Sequence, residues 1–443
     1  MSAALSKEAV VPLATLDPSA PLDDLAWLDE AIGDARVVAI GESSHYNAEF
    51  YLLRHRLLRY LVERHGFSAY ALESGFTEGR PVDGWVRGEG GPEELGRVQA
   101  DGVTSLMGVW TQLRDQLRWM RAHNATAARP VGFHGIDLGG SNVSPLPALD
   151  AVLAYLADAD PAYRPDPALR ETVAAVAPAS VFSAPQAVAA FAALPRERKD
   201  ALTAGLSRLM ARLIARRLDL TARAGADAYE RARHALSLAI ALDTVIGELT
   251  GGAPDGIGYA VRDAAMADTV AWVLRREDRI VLAAHNGHLQ RGPGVLPGQP
   301  PFDPMGLHLA DRLGTGYLVI ATTCGTGQVL TTSHADFRSG RFFAPLEPPE
   351  PGSLDALMAA TADGPFATDL RRLSPADAAL VRAAGRQRLG TLYTEVDALS
   401  AYDIVIHLPH VTPANPDPDA LAHTPEEVRA TFAGTTDDPP STT

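Results

Sequence analysis

The stretch from Arg36 to Tyr60 constrains the fold of this chain more than any other part of the sequence. It begins with a short β-branched run, passes through Gly41 and continues into a long amphipathic pattern. That order is typical of a buried strand that turns into a helix. Glu42 and His45 fall in the turn, and ligands of open α/β sheets bind beyond the carboxyl ends of the strands. We therefore predict that Glu42 and His45 form the first half of an active site.

Other segments repeat the pattern of an apolar strand that ends in an acid or a histidine. They are residues 67–73, ending in Glu73, residues 130–137, ending in Asp137, and residues 279–285, ending in His285. Helical patterns lie between them, and further strands are expected at residues 316–323, 328–332 and 401–407. Strands that alternate with helices indicate a parallel sheet. We predict an α/β fold in which a mainly parallel sheet is flanked by helices and carries a large all-helical insertion.

Composition divides the chain into four parts. Residues 1–145 and 251–410 carry the strand patterns and are predicted to form the two halves of the α/β core. Residues 146–250 are dominated by Ala, Leu and Arg at helical periodicity, which predicts a helical insertion that forms a lid or a pocket wall. Residues 411–443 are rich in Pro, Asp and Thr and are predicted to form an acidic, solvated tail.

Charge and cysteine content narrow the choice of partners. A net charge of −15 argues against nucleic acid and anionic membranes, which need a basic surface. The single cysteine, Cys324, excludes internal disulfides and paired-cysteine motifs. The N-terminus lacks the pattern of a secretory signal, and no segment has the roughly 18 apolar residues of a membrane span. We expect a cytoplasmic protein with a small-molecule partner, and the sequence leaves its oligomeric state open.

The predicted strand ends would gather a cluster of acids and histidines at one edge of the sheet. Its candidate catalytic residues are Glu42, His45, Glu73, His285 and His288. Asp137 also ends a strand, but a helix cap or a solvated turn is the simpler interpretation of that residue.

Neighbouring residues supply candidates for substrate contact. Arg54 and Arg262 lie on helices from which they could face the site, and Arg54 could pair with Glu42 or Glu73. Ser44 and Tyr46 flank His45, although a cap of the following helix is the simpler role for Ser44 and for Ser43. His55 is interpreted as a surface or helix-end residue, and His134 as a core histidine with its hydrogen bonds satisfied.

The usual nucleophile, metalloprotease and nucleotide motifs are absent, since the chain has no GxSxG, HExxH, P-loop or GxGxxG. A cluster of histidines and carboxylates suits direct attack of water on an ester. One imidazole removes the proton, a carboxylate orients that imidazole, and a second histidine or an arginine stabilises the oxyanion. The same groups are also a common first shell of a metal ion. The residues by themselves leave these two mechanisms open.

Several short motifs of the chain together resemble those of the erythromycin esterase family. They are Gly41 to His45, Glu49 with Phe50, Leu53 to Leu57, Ala71 to Glu73, Arg262 with Met266, and Ala284 to His288. The resemblance runs from about Arg36 to Ile320 and follows the order and spacing of the family. It implies an α/β core with an added helical part, and hydrolysis of a macrolide lactone without a metal or other cofactor.

The resemblance also implies roles for individual residues. His45 would be the general base, with Glu42, Glu73 and Arg54 in support. His285 and His288 would polarise the ester carbonyl. Many members have glycine where this chain has Tyr46, so we expect a phenol to fill space that the macrolide enzymes leave open.

We predict an ester hydrolase for a lactone or another ester of a bulky small molecule, a macrolide among the candidates. The alternatives within enzymes are a metal-dependent hydrolase and an acyl-transfer or cyclisation enzyme that tailors a natural product. From another class, a non-catalytic protein that binds a small molecule or haem fits the same residues.

Overall fold

The computed structural model describes residues 3–251, 257–295 and 300–434. The strands are β1 (Val11–Pro12), β2 (Val37–Glu42), β3 (Ala69–Gly75), β4 (Gly132–Asp137), β5 (Ile280–His285), β6 (Tyr317–Leu330), β7 (Phe343–Pro345), β8 (Phe366–Asp369), β9 (Arg386–Leu389), β10 (Leu392–Glu395) and β11 (Ile404–Val411). The helices are α1 (Leu28–Ile32), α2 (Ala48–His65), α3 (Gly79–Val86), α4 (Leu95–Gly102), α5 (Thr111–Asn124), α6 (Leu146–Ala159), α7 (Pro167–Ala174), α8 (Ala184–Ala192), α9 (Arg196–Ala215), α10 (Arg217–Ala224), α11 (Ala226–Gly251), α12 (Ile257–Leu274), α13 (Asn286–Leu289), α14 (Met305–Leu313), α15 (His334–Arg338), α16 (Leu354–Ala359), α17 (Pro375–Ala383), α18 (Ala398–Ala401), α19 (Pro418–His423) and α20 (Glu426–Ala433).

The main sheet has the strand order β1-β8-β11-β6-β2-β5-β3-β4, with β7 paired to β6. Neighbouring strands from β11 to β4 are parallel, whereas β8 and β1 join antiparallel at one end. The helices α6 to α11 fill residues 146–251 and share a hydrophobic core of their own. The predicted fold class, a mainly parallel sheet with an all-helical insertion, is confirmed.

Alternation along the strands explains why both faces of the sheet are covered. In β2, Val38 and Ile40 pack into one hydrophobic core, and Val37 and Ala39 pack into the other. Successive side chains of a strand point to opposite faces, so an uninterrupted apolar run needs helices on both sides. No helix in the described ranges is long and apolar enough to cross a membrane.

Strands β2 and β5 form a point at which the topology of the sheet changes direction. The chain leaves β2 for β3, on the far side of β5, and leaves β5 for β6, on the far side of β2. Helix α2 packs into the core that contains Val38, whereas α14 packs into the core that contains Val37. The connections therefore diverge to opposite faces, which opens a crevice beyond the ends of β2 and β5.

Gly41 leaves room for Asn286 to form hydrogen bonds that connect α13 to β6 across β2. The side chain of Asn286 donates to the carbonyl oxygen of Thr322 at 2.7 Å and accepts from its N–H at 3.2 Å. To reach β6 it crosses Gly41 of β2, where a Cβ would lie only 2.0 Å from Oδ1 of Asn286. Gly41 is thus required by a close approach, and Asn286 anchors the start of α13 to the sheet.

Two expectations about the chain after residue 315 were wrong. The strands expected at 316–323 and 328–332 form one strand, β6, because Gly325 and Gly327 permit close approach to β11 and do not make a turn. The segment after residue 410 is not a solvated tail up to residue 434, since it forms α19 and α20. Asp417 caps α19 and pairs with Arg114, so its charge is used within the fold. Residues 435–443 lie outside the described residues.

Candidate active site

The connection from β2 to α2 links three side chains, Glu42 at the end of β2, His45 in the turn and Arg54 on α2. Oε1 of Glu42 bonds to Nδ1 of His45 at 2.6 Å, and Oε2 lies 2.9 Å from Nη1 of Arg54. Glu42 and Arg54 are each 1% exposed, whereas the side chain of His45 is 26% exposed. Arg54 lies two turns into α2 and pairs with Glu42, as the sequence predicted. Glu42 therefore orients His45, and Arg54 balances the charge of Glu42.

The end of β5 places His285 beside these residues. Glu42 and His285 are register partners in neighbouring strands, and the ring centroids of His45 and His285 are 5.2 Å apart. The backbone N–H of His285 donates to Oε2 of Glu73 at 2.8 Å. The N–H of Gly287 donates to Nδ1 of His285 at 3.3 Å. Strands β2, β3 and β5 therefore bring their acids and histidines to one place, as expected.

A second charged group of residues adjoins Glu73. Nδ1 of His288 lies 2.7 Å from Oδ1 of Asp263, and its Nε2 lies 3.3 Å from Oε1 of Glu73. Arg262 binds both oxygens of Asp137, at 3.0 and 2.6 Å, and also contacts Glu73 at 3.3 Å. A guanidinium held by two carboxylates loses little freedom and keeps a fixed orientation.

These groups surround a small polar cavity of about 250 Å³. His45, His285 and His288 line it together with Glu73, Asp137 and Arg262. The remaining wall comes from Tyr46, Ser105 and Met107. The hydroxyl of Tyr46 donates to the carbonyl oxygen of Ser105, so the phenol closes one side. The cavity presents imidazoles, a guanidinium and carboxylates within reach of a molecule the size of an ester group.

The surroundings give the histidines different protonation states. Burial would lower the pKa of His45, but the bond to Glu42 outweighs it, and the pKa lies above the usual 6.5. Burial and the neighbouring His45 lower the pKa of His285 to about 4. Burial opposes the charge of His288, yet Asp263 and Glu73 raise its pKa to about 10. At neutral pH His285 is therefore uncharged and His288 is a cation.

Backbone strain is concentrated around the cavity. In the described part of the chain, the non-glycine residues with positive φ are Tyr46, Ser105, Leu106, Ser141 and Asn142. Tyr46 and Ser105 line the cavity, and the side chain of Asn142 donates to Asp137 at 2.9 Å. Such conformations cost on the order of 1–3 kcal/mol each and cluster at functional sites. The strain marks this crevice independently of the titratable residues.

The structure brings together the predicted catalytic residues, which are Glu42, His45, Glu73, His285 and His288. Arg262 and Tyr46, predicted to contact substrate, line the same cavity.

Two predicted substrate contacts were placed wrongly. Arg54 is buried behind Glu42 and does not line the cavity. Ser44 is buried as well, and its hydroxyl accepts from the N–H of Leu330 at 3.3 Å. It therefore neither faces substrate nor caps α2, which begins after Asn47. The capping role suggested for Ser43 is also wrong, because its hydroxyl contacts Cys324.

Sequence reasoning undervalued or missed three polar residues. Asp137 was interpreted as a cap or a solvated turn, but it is buried and binds Arg262. Its position at a strand end was the same signal that identified Glu73. Asp263 and Asn286 were given no role, and only their positions beside Arg262 and His285 could have drawn attention to them.

Two histidines outside the site also differ from expectation. His55 is buried, because α2 is covered on nearly all sides, and burial lowers its pKa to about 4. His134 is half-buried, and its Nε2 has no hydrogen-bond partner among the described residues. It is therefore not a satisfied core histidine.

Comparison with known proteins identifies the family of this chain. The model of the family described as "Erythromycin esterase" matches residues 62–411. Erythromycin esterase type II of Escherichia coli is 32% identical over 335 residues, covering 72% of this chain and 76% of the relative. Erythromycin esterase type I of Escherichia coli is 30% identical over 303 residues, covering 67% and 71%.

Solved structures show the same fold. A mutant of the erythromycin esterase EreC in its open conformation has a TM-score of 0.75 and 22% identity, covering 91% of this chain and 98% of that one. A succinoglycan biosynthesis protein has a TM-score of 0.71 and 20% identity, covering 92% and 96%. Family match and relatives agree over most of the chain. The chain therefore belongs to the erythromycin esterase family of ester hydrolases.

Proposed function

We propose that this protein hydrolyses a lactone or another ester of a bulky small molecule, with a water molecule activated by His45. The proposal rests on the geometry of His45. Its Nδ1 is held by the buried carboxylate of Glu42, so the ring can act on a water molecule only through Nε2. Its side chain is 26% exposed and lines the cavity, whereas the side chain of His288 is 15% exposed. A positioned imidazole of this kind is the usual general base of hydrolases.

His285 is suited to bind the ester carbonyl. Because its Nδ1 accepts a hydrogen bond from Gly287 and its pKa is about 4, the neutral ring carries its proton on Nε2. That N–H can donate to the carbonyl oxygen and to the oxyanion that follows. The positive charges of His288 and Arg262 at the same wall add electrostatic stabilisation in a site partly shielded from water.

The proposed reaction needs no covalent intermediate. His45 takes a proton from water while the water oxygen bonds to the carbonyl carbon, and the carbonyl electrons move to the oxygen. The oxyanion then collapses, the ester C–O bond breaks, and the leaving alkoxide takes the proton from His45. The products are the acid and the alcohol, which for a lactone remain parts of one opened molecule.

A neighbouring cavity supports a bulky substrate. It also has a volume of about 250 Å³, shares Ser105 with the catalytic cavity and has a largely apolar wall that includes Val103, Leu146 and Val181. The ester group would enter the polar cavity while the rest of the molecule lies along this wall. The names of the Escherichia coli relatives add macrolide lactones to the candidate substrates.

We also propose that the reaction is independent of metal. In the described ranges, no three His, Cys, Asp or Glu side chains are grouped so that they could hold a metal ion. The ring nitrogens of His288 are both occupied by carboxylates. Hydrolysis should therefore persist after exhaustive treatment with a chelator. If the activity is lost and added zinc or manganese restores it, the proposal of metal independence is wrong.

A panel of macrolides, smaller lactones and open-chain esters tests the function. We expect a gain of one water in at least one lactone or bulky ester, detected by mass spectrometry. Absence of turnover across the whole panel, with a ligand bound tightly in the crevice, would favour a binding protein.

The pH dependence follows from the protonation states. His45 must be neutral to accept a proton, so kcat/KM should rise with pH through its raised pKa, above 6.5. His288 must be charged, so kcat/KM should fall as pH passes about 10. His285 stays neutral throughout this range.

The variant Glu42→Gln tests whether the acid limb of the pH profile reports the titration of His45. The carboxylate raises the pKa of His45 against burial, so its loss should move the acid limb to lower pH. The alkaline limb should stay in place. An acid limb that does not move would show that another group is the base.

A further inference from the structure

A further cleft, partly open to solvent, lies between the edge of the sheet and the helical insertion. Its volume is about 450 Å³, larger than the catalytic cavity. The edge strand β4 and the helices α3, α6, α11 and α12 contribute its wall. An engineered cavity of about 150 Å³ suffices to bind benzene, so this one has room for a molecule with two fused rings.

The cleft is unfilled because one of its walls consists mainly of small side chains. Helices α6 and α11 present alanines, among them Ala151, Ala228 and Ala232, where they pack elsewhere with leucines. The opposite wall is aromatic and includes Phe133 and Trp272. Protein interiors are close-packed, so a cleft of this size between two hydrophobic cores is room that the side chains of the protein leave unfilled. Aromatic side chains opposite small ones leave room for a planar apolar group.

Buried polar atoms in this wall lack partners. Nε1 of Trp272, Oη of Tyr155, Oγ1 of Thr77 and Nε2 of His134 have no hydrogen bond to any residue in the described part of the chain. Trp272 is 2% exposed, so its indole N–H is withdrawn from bulk water. Buried polar groups are nearly always paired, so these unpaired atoms around one cavity are positions at which a ligand could form hydrogen bonds.

Positive charge accumulates at the same wall. Arg80 and Arg231 line the cavity, and the guanidinium of Arg276 lies 3.5 Å from the ring centroid of Trp272. Burial and then the charges of Arg80 and Arg276 lower the pKa of Arg231. Arg80 is an exposed residue and makes no ion pair in the described ranges. Like charges gathered in this way repel one another, and a bound anion would relieve that repulsion.

The nearby carboxylates are mostly engaged. Asp83 accepts from Arg87 and from the N–H of Phe133, each at 2.9 Å. Asp227 is shared between Arg231 and Arg276. Asp158 is the other carboxylate of the wall, and it is exposed. An anion at the cavity would therefore meet Arg80, which has no carboxylate partner in the described ranges, and Arg231, which shares one carboxylate with Arg276.

We infer that this cavity is a second binding site, separate from the catalytic one, for a small aromatic anion such as a carboxylate or sulfonate. The rings lie between the alanines of α11 and the opposite wall, where they meet Phe133 and the edge of Trp272 that carries its unpaired N–H, and the anionic group contacts Arg80 and Arg231. The site depends on β4 and the helical insertion, so it does not require that the protein hydrolyse any particular ester.

Two probes with the same ring system test both parts of the inference. The fluorescent anion 8-anilinonaphthalene-1-sulfonate should bind at one saturable site, whereas uncharged N-phenyl-1-naphthylamine should bind more weakly. Ala232→Leu fills the space and should weaken binding of both probes at least tenfold. Replacing Arg80 and Arg231 by glutamine should weaken the anion about tenfold and leave the neutral probe within twofold.

Control measurements distinguish loss of the binding site from loss of folding. Circular dichroism and urea unfolding establish that each variant is folded, and Ala154→Leu, at an exposed residue of the wall, replaces Ala232→Leu if the latter does not fold. His45→Gln, in the other cavity, should leave probe binding unchanged. Absence of saturable binding, unchanged binding in the filled variant, or equal weakening of both probes by the arginine changes would overturn the inference.

Discussion

Replacing His45 by glutamine is expected to lower kcat/KM about a thousandfold, the range typical for removal of a general base. Glutamine keeps the length and polarity of the side chain but cannot accept a proton from water. The bond from position 45 to Glu42 can be retained, so the cavity should keep its shape. Steady-state kinetics with the best substrate of the ester panel measure the effect, and binding of that substrate should change by less than tenfold.

His123→Gln is the matched control, because that histidine lies near the end of α5 and does not line the catalytic cavity. We expect wild-type kcat/KM for this variant. If His45→Gln retains more than a tenth of the wild-type rate, His45 is not the base. A loss of rate in His123→Gln of similar size would point to a general loss of folding.

Replacing Arg54 by leucine is expected to lower the free energy of unfolding by about 3–5 kcal/mol, as for removal of one partner from a buried ion pair. Glu42 and Arg54 are each 1% exposed, so the variant leaves a carboxylate without its cation. Burial opposes the charge of Glu42, and Arg54 is the largest influence that lowers its pKa. Urea unfolding at neutral pH measures the loss.

The pH dependence of that loss identifies its cause. In the native protein the pKa of Glu42 lies below the usual 4.5, so its charge stabilises the fold above that pH and the stabilisation is lost as pH falls. Without Arg54 the native-state pKa rises, and protonation removes the unpaired charge. The difference in unfolding free energy between wild type and variant should therefore shrink as pH falls from about 7 towards 4.5.

Two further variants act as controls for Arg54→Leu. Arg64→Leu, on the same helix, removes a guanidinium that is 57% exposed and pairs with the exposed Asp23, so we expect a change within about 0.5 kcal/mol. Adding Glu42→Leu to Arg54→Leu should recover part of the stability, because neither charge of this buried pair then remains. Recovery of stability without recovery of activity would separate the structural from the catalytic role of Glu42. An Arg54→Leu variant as stable as wild type at neutral pH would contradict the account.

The sequence was most informative where local patterns decide the structure. The apolar run before Gly41 and the helical stripe after it predicted β2 and α2, and Gly66 ends α2 in the left-handed conformation, as expected of a C-cap. Because parallel strands align their carboxyl ends, residues at strand ends predicted a shared site without knowledge of the strand order. Glu42 and His285 are direct neighbours because β2 also pairs with β5, which the strand-end argument did not predict.

The errors came from contacts between distant parts of the chain. Ser44 was assigned from its neighbours in sequence, whereas its partner is the N–H of Leu330, almost three hundred residues away. The composition after residue 410 suggested a solvated tail, but Asp417 pairs with Arg114 and folds that segment back. Asp137 was judged alone, and only Arg262 on a distant helix shows its role. Composition and spacing do not encode such pairings.

A single turnover in ¹⁸O-labelled water, with protein in excess over ester, tests the central claim most directly. If His45 activates water for direct attack, the acid formed in that first turnover carries one ¹⁸O atom, and mass spectrometry finds none in the alcohol or the protein. An unlabelled acid, with ¹⁸O left in Glu73 or another carboxylate of the cavity, would show that a side chain attacks the ester and would contradict this account.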